Sequence, residues 1–239
     1  MPGTDTFYCI GVSYKKADAV LRGRFSITTK AIPFLLEDAK KNGINSLVLN
    51  STCNRTEIYA QASSHEVLIS LLCEHSKGTK EDYEKAGNNF QGAEAISHLF
   101  NVGTGLESQI LGDFEIISQL KKSFKVSKKT KMLSPFMERM FNAVLKASKR
   151  IKTETGLSSG ATSVSYVSVR YILDNITDLD NKKIILFGLG KIGRNSCENL
   201  VKHTKNTSIT LINRTRERAE QLAGKFDVEV KDYAELPVE

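Results

Sequence analysis

One segment near the end of the chain constrains the fold more than any other. The apolar run Lys183 to Phe187 leads directly into Gly188-Leu189-Gly190-Lys191-Ile192-Gly193, and a helical pattern continues to about His203. A second apolar run, Ser208 to Ile212, follows. A strand, a glycine turn, a helix and a second strand occur in this order in parallel sheets with crossover helices. The sequence therefore predicts a parallel-sheet domain of the Rossmann type over residues 181–239.

The glycine turn has the spacing of a dinucleotide site. Gly188 permits the tight turn, Gly190 lets the backbone approach a pyrophosphate, and Gly193 allows close packing of helix on strand. After the second strand, Asn213-Arg214-Thr215-Arg216 offers guanidinium groups instead of an acid, which suits the 2′-phosphate of NADPH. The alternatives are a glycine turn that binds nothing and arginines that are merely exposed at a helix start. The predicted cofactor contacts are Gly188, Leu189, Gly190, Lys191, Ile192, Gly193, Asn213, Arg214 and Thr215.

This dinucleotide domain is expected to be incomplete within the chain. About sixty residues follow Asn181, enough for two strands, two helices and a short third strand at Val228 to Val230. A complete domain needs a second mononucleotide half. We therefore predict only the N-terminal half of the NADPH domain here.

The rest of the chain predicts an α/β protein with an α+β front domain at 1–155 and a connecting helix at 156–180. In the first ninety residues, strand and helix patterns alternate, and Lys77 to Asn89 is predicted to be a polar, mobile stretch. From Gly92 to Leu173 the periodicity is helical. The predicted strands are Phe7 to Tyr14, Ser46 to Asn50 and Glu57 to Ala62, and the predicted helices include Lys30 to Asn42 and Val67 to His75.

Composition excludes several classes of protein. The chain has 239 residues, of which 40% are hydrophobic and 26% charged, as in soluble globular proteins. It contains neither a run of about 20 apolar residues nor an N-terminal secretory signal, so we predict a cytoplasmic protein without a membrane partner. The four cysteines form no CxxC pair, which favours free thiols. Cys73 and His75 have no second ligand pair, so no metal site is predicted.

Positive charge is concentrated in one segment. Ile116 to Lys152 contains eleven basic residues and one acid, Glu138, and so carries +10. The whole chain carries +7, so the rest carries −3. Such a distribution suggests a polyanionic partner, because phosphates attract the lysines and release counterions. The alternative is a solvated helical face whose lysines maintain solubility.

Cys53 is the cysteine with the most polar surroundings. It lies in Ser51-Thr52-Cys53-Asn54-Arg55-Thr56, a turn-forming connection between two predicted strands. Accessibility and nearby positive charge, here from Arg55, favour a reactive thiolate. A lone cysteine beside an arginine is otherwise usually inert. The remaining cysteines, Cys9, Cys73 and Cys197, lie in predicted strands or helices and are interpreted as structural.

Four ordered segments together resemble the glutamyl-tRNA reductase family. Ser51-Thr52-Cys53-Asn54-Arg55-Thr56-Glu57-Ile58-Tyr59 resembles its nucleophile motif. Phe7 to Ala17 resembles the opening strand of the family, and His98 to Gly112 resembles its central signature. Ala147 to Val164 resembles the join to its connecting helix. The glycine turn and Asn213-Arg214-Thr215 lie where the NADPH domain of the family starts.

The resemblance implies a mechanism and a set of site residues. Cys53 would attack the ester of glutamyl-tRNA to form a thioester, and hydride from NADPH would release glutamate 1-semialdehyde for tetrapyrrole synthesis. His98 would handle or position a proton, although alone it would be interpreted as a buried helix histidine. Arg55 would hold a substrate carboxylate in a bidentate pair. The implied substrate contacts are Thr52, Asn54, Arg55, Ser108, Asp113, Phe114, Glu115 and Gln119.

The chain departs from the family pattern at three points. Tyr14 stands where many relatives have histidine, and Asp113-Phe114-Glu115 replaces a Glu-x-Gln segment. The family continues into a helical dimerisation domain, so its homodimer is expected of a full-length member and not supported by this chain. The resemblance also makes the downstream aminomutase a candidate partner.

Two alternative functions remain, one of a different enzyme and one of a non-catalytic binding protein. One is an NADP-dependent dehydrogenase of a small hydroxy acid, which would have no use for Cys53. The other is a non-catalytic tRNA-binding module, which would bind tRNA with a steep salt dependence and form no covalent adduct.

Overall fold

The computed structural model describes residues 3–113, 115–155, 157, 164–205 and 208–235. The chain divides into two units, Met1–Ser158 and Ser159–Glu239. The mixed α/β class predicted from the sequence is confirmed. Within the described ranges, no helix is both long and apolar enough to cross a bilayer.

The front unit is built on an antiparallel sheet of four strands in the order β2-β3-β1-β4. The strands are β1 (Phe7–Ser13), β2 (Ser46–Ser51), β3 (Arg55–Gln61) and β4 (Gly87–Gln91). In the described part of this unit, seven helices surround the strands: α1 (Ala19–Arg24), α2 (Ile32–Lys41), α3 (His65–Glu74), α4 (Lys80–Ala86), α5 (Gly92–Gly103), α6 (Glu115–Lys129) and α7 (Pro135–Glu154).

Both faces of this sheet are covered, which explains its fully buried central strand. Side chains alternate along β1, so Ile10 faces a core shared with α2 and α3, and Phe7 faces a core shared with α5, α6 and α7. Helix α6 lies along β2, and the N–H of Leu47 donates to the carbonyl of Met132, just after that helix, at 3.0 Å. The second face is the one that carries the candidate site.

The segment Lys77 to Asn89 is polar as predicted, but the prediction that it is mobile is wrong. Helix α4 forms there because Thr79 and Asp82 make a capping box, in which each side chain accepts from the backbone N–H of the other residue. Strand β4 follows and pairs with β1, with Cys9 opposite Phe90. Local capping and sheet pairing therefore order a segment whose composition is polar.

The second unit contains a parallel sheet of three strands in the order β5-β6-β7. Val169, Leu189, Cys197 and Leu211 belong to its core, so helix α8 packs with the sheet and with α9. The elements are α8 (Val164–Asn175), β5 (Ile184–Phe187), α9 (Lys191–His203), β6 (Ile209–Ile212), α10 (Arg216–Phe226) and β7 (Glu229–Val230).

Candidate active site

The turn between β2 and β3 holds Cys53 at its tip. The N–H of Thr52 donates to the carbonyl of Arg55 at 2.8 Å, which closes the turn. The Thr52 hydroxyl accepts from the N–H groups of Asn54 and Arg55, each at 3.2 Å. A threonine side chain that caps its own turn fixes the backbone without help from another element. Cys53 is exposed, so its thiol is accessible on a fixed support.

Two contacts anchor this turn to the segment after β1. The N–H of Tyr14 donates to the carbonyl of Asn54 at 2.9 Å. The Nε of Arg22 donates to the carbonyl of Cys53 at 3.2 Å, and its Nη1 donates to Ala17. Arg22 therefore places a guanidinium beside the Cys53 turn. Sequence reasoning missed it because it lies thirty-one positions away, on helix α1.

The other three cysteines are less accessible than Cys53. Cys9 and Cys197 are buried and Cys73 is half-buried. Burial raises the pKa of the Cys9 thiol well above its usual value, and it raises the pKa of Cys197 to about 11. Burial also raises the pKa of Cys73. These thiols are poor nucleophiles at neutral pH.

Beneath the turn, β3 carries three polar side chains on one face. Arg55, Glu57 and Tyr59 alternate along the strand and therefore point to the same side. Glu57 Oε1 accepts from Arg55 Nη1 at 3.0 Å, and Glu57 Oε2 accepts from the Tyr59 hydroxyl. His98, on helix α5, places Nε2 2.9 Å from Glu57 Oε1 and stacks its ring on Phe90. One buried carboxylate thus joins β3, the strand after the Cys53 turn, to α5.

The charge of Glu57 determines the tautomer of His98. Burial alone would raise the pKa of Glu57, but Arg55, His98 and Tyr59 outweigh it and hold that pKa at about 2. An ionised carboxylate only accepts hydrogen bonds, so Nε2 of His98 carries a hydrogen. In neutral His98, Nδ1 is then left as a proton acceptor. Such a fixed tautomer suits a histidine that handles a proton.

Cys9, Glu57 and His98 also place one potential metal-ligand atom each within 4.8 Å of one another. Glu57 already accepts from three donors, one of which is a guanidinium. Hydrogen bonding and charge pairing account for the approach of His98 to Glu57, and Cys9 lies beside them because β1 pairs with β3.

Arg55 connects β3 to the segment after α5. Its Nη2 donates to the carbonyl of Glu107, whose carboxylate pairs with Lys15. Its side chain is only 3% exposed, and both ends of its buried guanidinium have hydrogen-bond partners. Next to these residues lies a cavity of about 220 Å³, lined among others by Ser13, Lys15, His98 and Glu107.

The predicted substrate contacts after α5 lie in and just beyond this same segment. The N–H of Ser108 donates to the carbonyl of Gly105, and the N–H of Gly112 folds back to the same carbonyl at 3.0 Å. Asp113 Oδ1 accepts from the N–H of Glu115 at 2.9 Å, where α6 begins. Gln119 is half-buried one turn further along α6. Phe114 lies outside the described residues.

Sequence reasoning missed Glu57 and Lys15 as well as Arg22. For Glu57 a signal exists: Arg55 and Glu57 are charged residues two apart at the start of a strand that continues with Ile58, Tyr59 and Ala60. Charged side chains on a buried face must pair with each other. That rule predicts the Arg55–Glu57 pair, although it does not indicate His98 as the third member.

The glycine turn of the second unit combines open space with one close backbone contact. Gly188 has a φ of +86°, and a Cβ added to Gly188 or Gly190 would meet nothing within 4 Å. A Cβ on Gly193 would press into the carbonyl oxygen of Gly188, so close packing there requires glycine. The N–H of Leu189 donates to Asn213 Oδ1 at 3.0 Å, which ties the turn to the end of β6.

Comparison with known proteins identifies the family to which the chain is related. A family profile described as "Glutamyl-tRNAGlu reductase, N-terminal domain" matches residues 10–155, which include Cys53, Glu57 and His98. The chain belongs to the glutamyl-tRNA reductase family. A second profile, "Shikimate / quinate 5-dehydrogenase", matches residues 171–238, which include the glycine turn.

Relatives within the glutamyl-tRNA reductase family match along the whole chain. A glutamyl-tRNA reductase of Flavobacterium psychrophilum is 60% identical over 239 residues, and "Glutamyl-tRNA reductase 2" of Flavobacterium johnsoniae is 59% identical. The chain spans 58% and 55% of the lengths of these two proteins. A solved structure, glutamyl-tRNA reductase from Methanopyrus kandleri, matches 97% of the chain and 55% of its own, with 26% identity and a TM-score of 0.65.

Proposed function

We propose that this chain takes the glutamyl group of glutamyl-tRNA onto Cys53, as the acylation part of an NADPH-dependent reductase that opens tetrapyrrole synthesis. One observation carries the proposal: in a chain of this family, Cys53 is the exposed thiol and stands on a turn that the Thr52 hydroxyl caps. The Glu57–His98 pair lies on β3 and α5, and β3 begins directly after this turn.

The acylation step needs a thiolate and a route for one proton. The Cys53 thiolate attacks the ester carbonyl carbon that joins glutamate to the tRNA 3′ ribose. The bond from that carbon to the ribose oxygen breaks, the oxygen takes up a proton, and a thioester remains on Cys53. Neutral His98 holds its own hydrogen on Nε2 against Glu57, so Nδ1 is the atom that accepts and returns a proton.

The second unit fits the cofactor that reduction requires. Open space at Gly188 and Gly190 admits a pyrophosphate to the N-terminus of α9, and exposed Arg214 suits a 2′-phosphate. When bound, NADPH supplies the hydride that converts the thioester to glutamate 1-semialdehyde and frees the Cys53 thiolate. The residues proposed to hold it are Gly188, Leu189, Gly190, Lys191, Ile192, Gly193, Asn213, Arg214 and Thr215.

The contacts of Arg55 favour a positioning role in addition to its predicted role in carboxylate binding. Its guanidinium bonds Glu57 and the Glu107 carbonyl, so a substrate carboxylate would have to replace the Glu107 contact. Lys15 lines the adjacent cavity and is 51% exposed, and it would bind that carboxylate in exchange for its present partner, the Glu107 carboxylate. We therefore propose that Lys15 and Arg55 bind it together.

A non-catalytic tRNA-binding module is the second candidate, favoured by the +10 charge of residues 116–152. It differs from the first in one observable: it binds tRNA without forming a covalent bond.

The deciding experiment is incubation of the chain with glutamyl-tRNA in the absence of NADPH, followed by intact-mass measurement and peptide mapping. We expect a glutamyl adduct on Cys53 that is absent from Cys53→Ser, while Cys73→Ser, the matched control, still forms it. If the folded chain binds the tRNA but yields neither adduct nor released glutamate, the acylation mechanism is wrong and the binding module replaces it.

A further inference from the structure

The solvent side of helix α6 is almost entirely positive. Structure is described for every residue of this helix, and seven of its side chains are exposed. Glu115 and Ser118, near its start, are two of them, and the opposite side of the helix packs into the core. The other five, here called the lysine face, are Lys121, Lys122, Lys125, Lys128 and Lys129.

Neighbouring acids neutralise little of the lysine face. Lys128 pairs with Glu138 of helix α7. Among the described residues, the other four lysines have no carboxylate within 4.0 Å. Exposed Arg139 and Lys146 on α7 add to the charge, and Arg150 pairs with Glu154. The surface therefore keeps a clear positive excess.

The lysine face begins about 9 Å from the N-terminus of helix α6, and that terminus lies toward the end of the sheet that carries Cys53. Helix α6 packs along β2, and the chain just after α6 bonds to the first part of β2 through Met132 and Leu47. The helix therefore runs antiparallel to β2, and its N-terminus lies toward the end of β2 that leads into the Cys53 turn. With a rise of 1.5 Å per residue, Lys121 to Lys129 extends about 12 Å away from that end.

We infer that the lysine face binds the sugar–phosphate backbone of the tRNA whose 3′ end lies at Cys53. The inference rests on the proposed function, which places the tRNA terminus at that turn. Lysines along one helix face neutralise successive phosphates and release counterions. A membrane surface fits less well, because a membrane-binding helix exposes an apolar side, and the apolar side of α6 faces the core.

The test uses two triple variants of the same net charge. Lys121→Gln/Lys125→Gln/Lys129→Gln removes three charges from the lysine face. The control, Lys30→Gln/Lys40→Gln/Lys85→Gln, removes three exposed lysines from the turn before α2, from α2 and from α4. Binding is measured with deacylated tRNA over a series of salt concentrations. Acylation of Cys53 is measured with glutamyl-tRNA and with glutamyl-adenosine, which has no phosphate.

We expect the lysine-face variant to bind tRNA about tenfold or more weakly, with the slope of log Kd against log salt reduced by about 2 to 3. Its acylation by glutamyl-tRNA should fall in parallel, while acylation by glutamyl-adenosine and the behaviour of the control should not change. Equal tRNA affinity and salt slope in the two variants would overturn the inference. Absence of an adduct from either substrate in the unmodified chain would overturn the proposed function instead, and the binding data would still decide the lysine face.

Discussion

Glu57 is the residue at which β3 and helix α5 meet. Its two oxygens accept from Arg55, Tyr59 and His98, and its side chain is 4% exposed. Breaking a buried ion pair usually costs about 3–5 kcal/mol, because the remaining charge stays buried without a partner. The site therefore depends on Glu57 for stability as well as for the orientation of His98.

This dependence predicts a particular response to pH. The pKa of Glu57 falls from 4.5 to about 2 on folding, so its stabilising effect is complete above pH 4.5 and is lost as the pH falls toward 2. Glu57→Gln should lower the free energy of unfolding by roughly 3 kcal/mol at pH 7, and by much less near pH 2. Urea unfolding of both proteins between pH 2 and pH 7 measures this difference. A difference that stays constant over the whole range would contradict it.

The four thiols should react in an order set by exposure and by pKa. Iodoacetamide at neutral pH should alkylate exposed Cys53 first and half-buried Cys73 more slowly. Cys9 and Cys197 should react only after denaturation, because burial raises the pKa of both. Peptide mapping after timed quenching gives the order. Early alkylation of Cys9 would show that the sheet opens on that face.

At the level of elements, short helices depend on their caps. Helix α4 has only seven residues, and the Thr79 hydroxyl accepts from the N–H of Asp82 at 3.1 Å. Asp82 returns a bond to the N–H of Thr79 and also pairs with Arg24. Such a helix has little intrinsic stability, so its capping contacts are a large share of the total.

Thr79→Ala should therefore lower the free energy of unfolding by about 1 kcal/mol. Thr153→Ala is the matched control, because that hydroxyl bonds only to carbonyls of its own helix and should change stability by less than about 0.5 kcal/mol. Chemical denaturation compares the two. Equal losses would mean that the cap does not stabilise α4.

The glycine turn provides a second pair of matched substitutions, at Gly193 and at Gly190. Gly193→Ala would press a methyl group into the Gly188 carbonyl and should destabilise the second unit by about 1–3 kcal/mol. Gly190→Ala meets nothing within 4 Å and should cost only a few tenths to about 1 kcal/mol, as expected for alanine at a helix N-cap. Thermal unfolding followed by circular dichroism tests both variants. A larger loss for Gly190→Ala would mean that the turn is packed differently.

Elements with a strong local signal are predictable from this sequence. The apolar run Lys183 to Phe187 and the glycine turn that follows it were both predicted, and they form β5 and the start of α9. Helix α4 and strand β4 were not predicted, because their residues are polar and Asn88 and Asn89 resemble a loop. The Cys53 turn was expected from its composition, but the contact between Glu57 and His98 joins residues forty-one positions apart. No local pattern encodes a tertiary pair of that kind.

At the scale of the whole molecule, the two units have separate hydrophobic cores. Ile10 and Phe7 belong to the two cores on either side of the front sheet, and Leu211 belongs to the core of the second unit. Chains with separate cores commonly unfold in more than one transition.

We therefore expect two calorimetric transitions. Gly193→Ala should lower the midpoint of one of them, and Glu57→Gln should lower the midpoint of the other. Differential scanning calorimetry of the unmodified chain and both variants makes the assignment. A single transition that both substitutions shift equally would show that the units unfold together.

The edge of the front sheet at β2 affects how readily the chain aggregates at high concentration. An edge strand with free backbone donors is a template for strand addition between molecules and hence for aggregation. Here the N–H of Leu47 is already bonded to Met132, and α6 lies along the strand. The opposite edge, β4, has only five residues. With one edge shielded and the other short, this sheet is a poor seed for intermolecular β-structure.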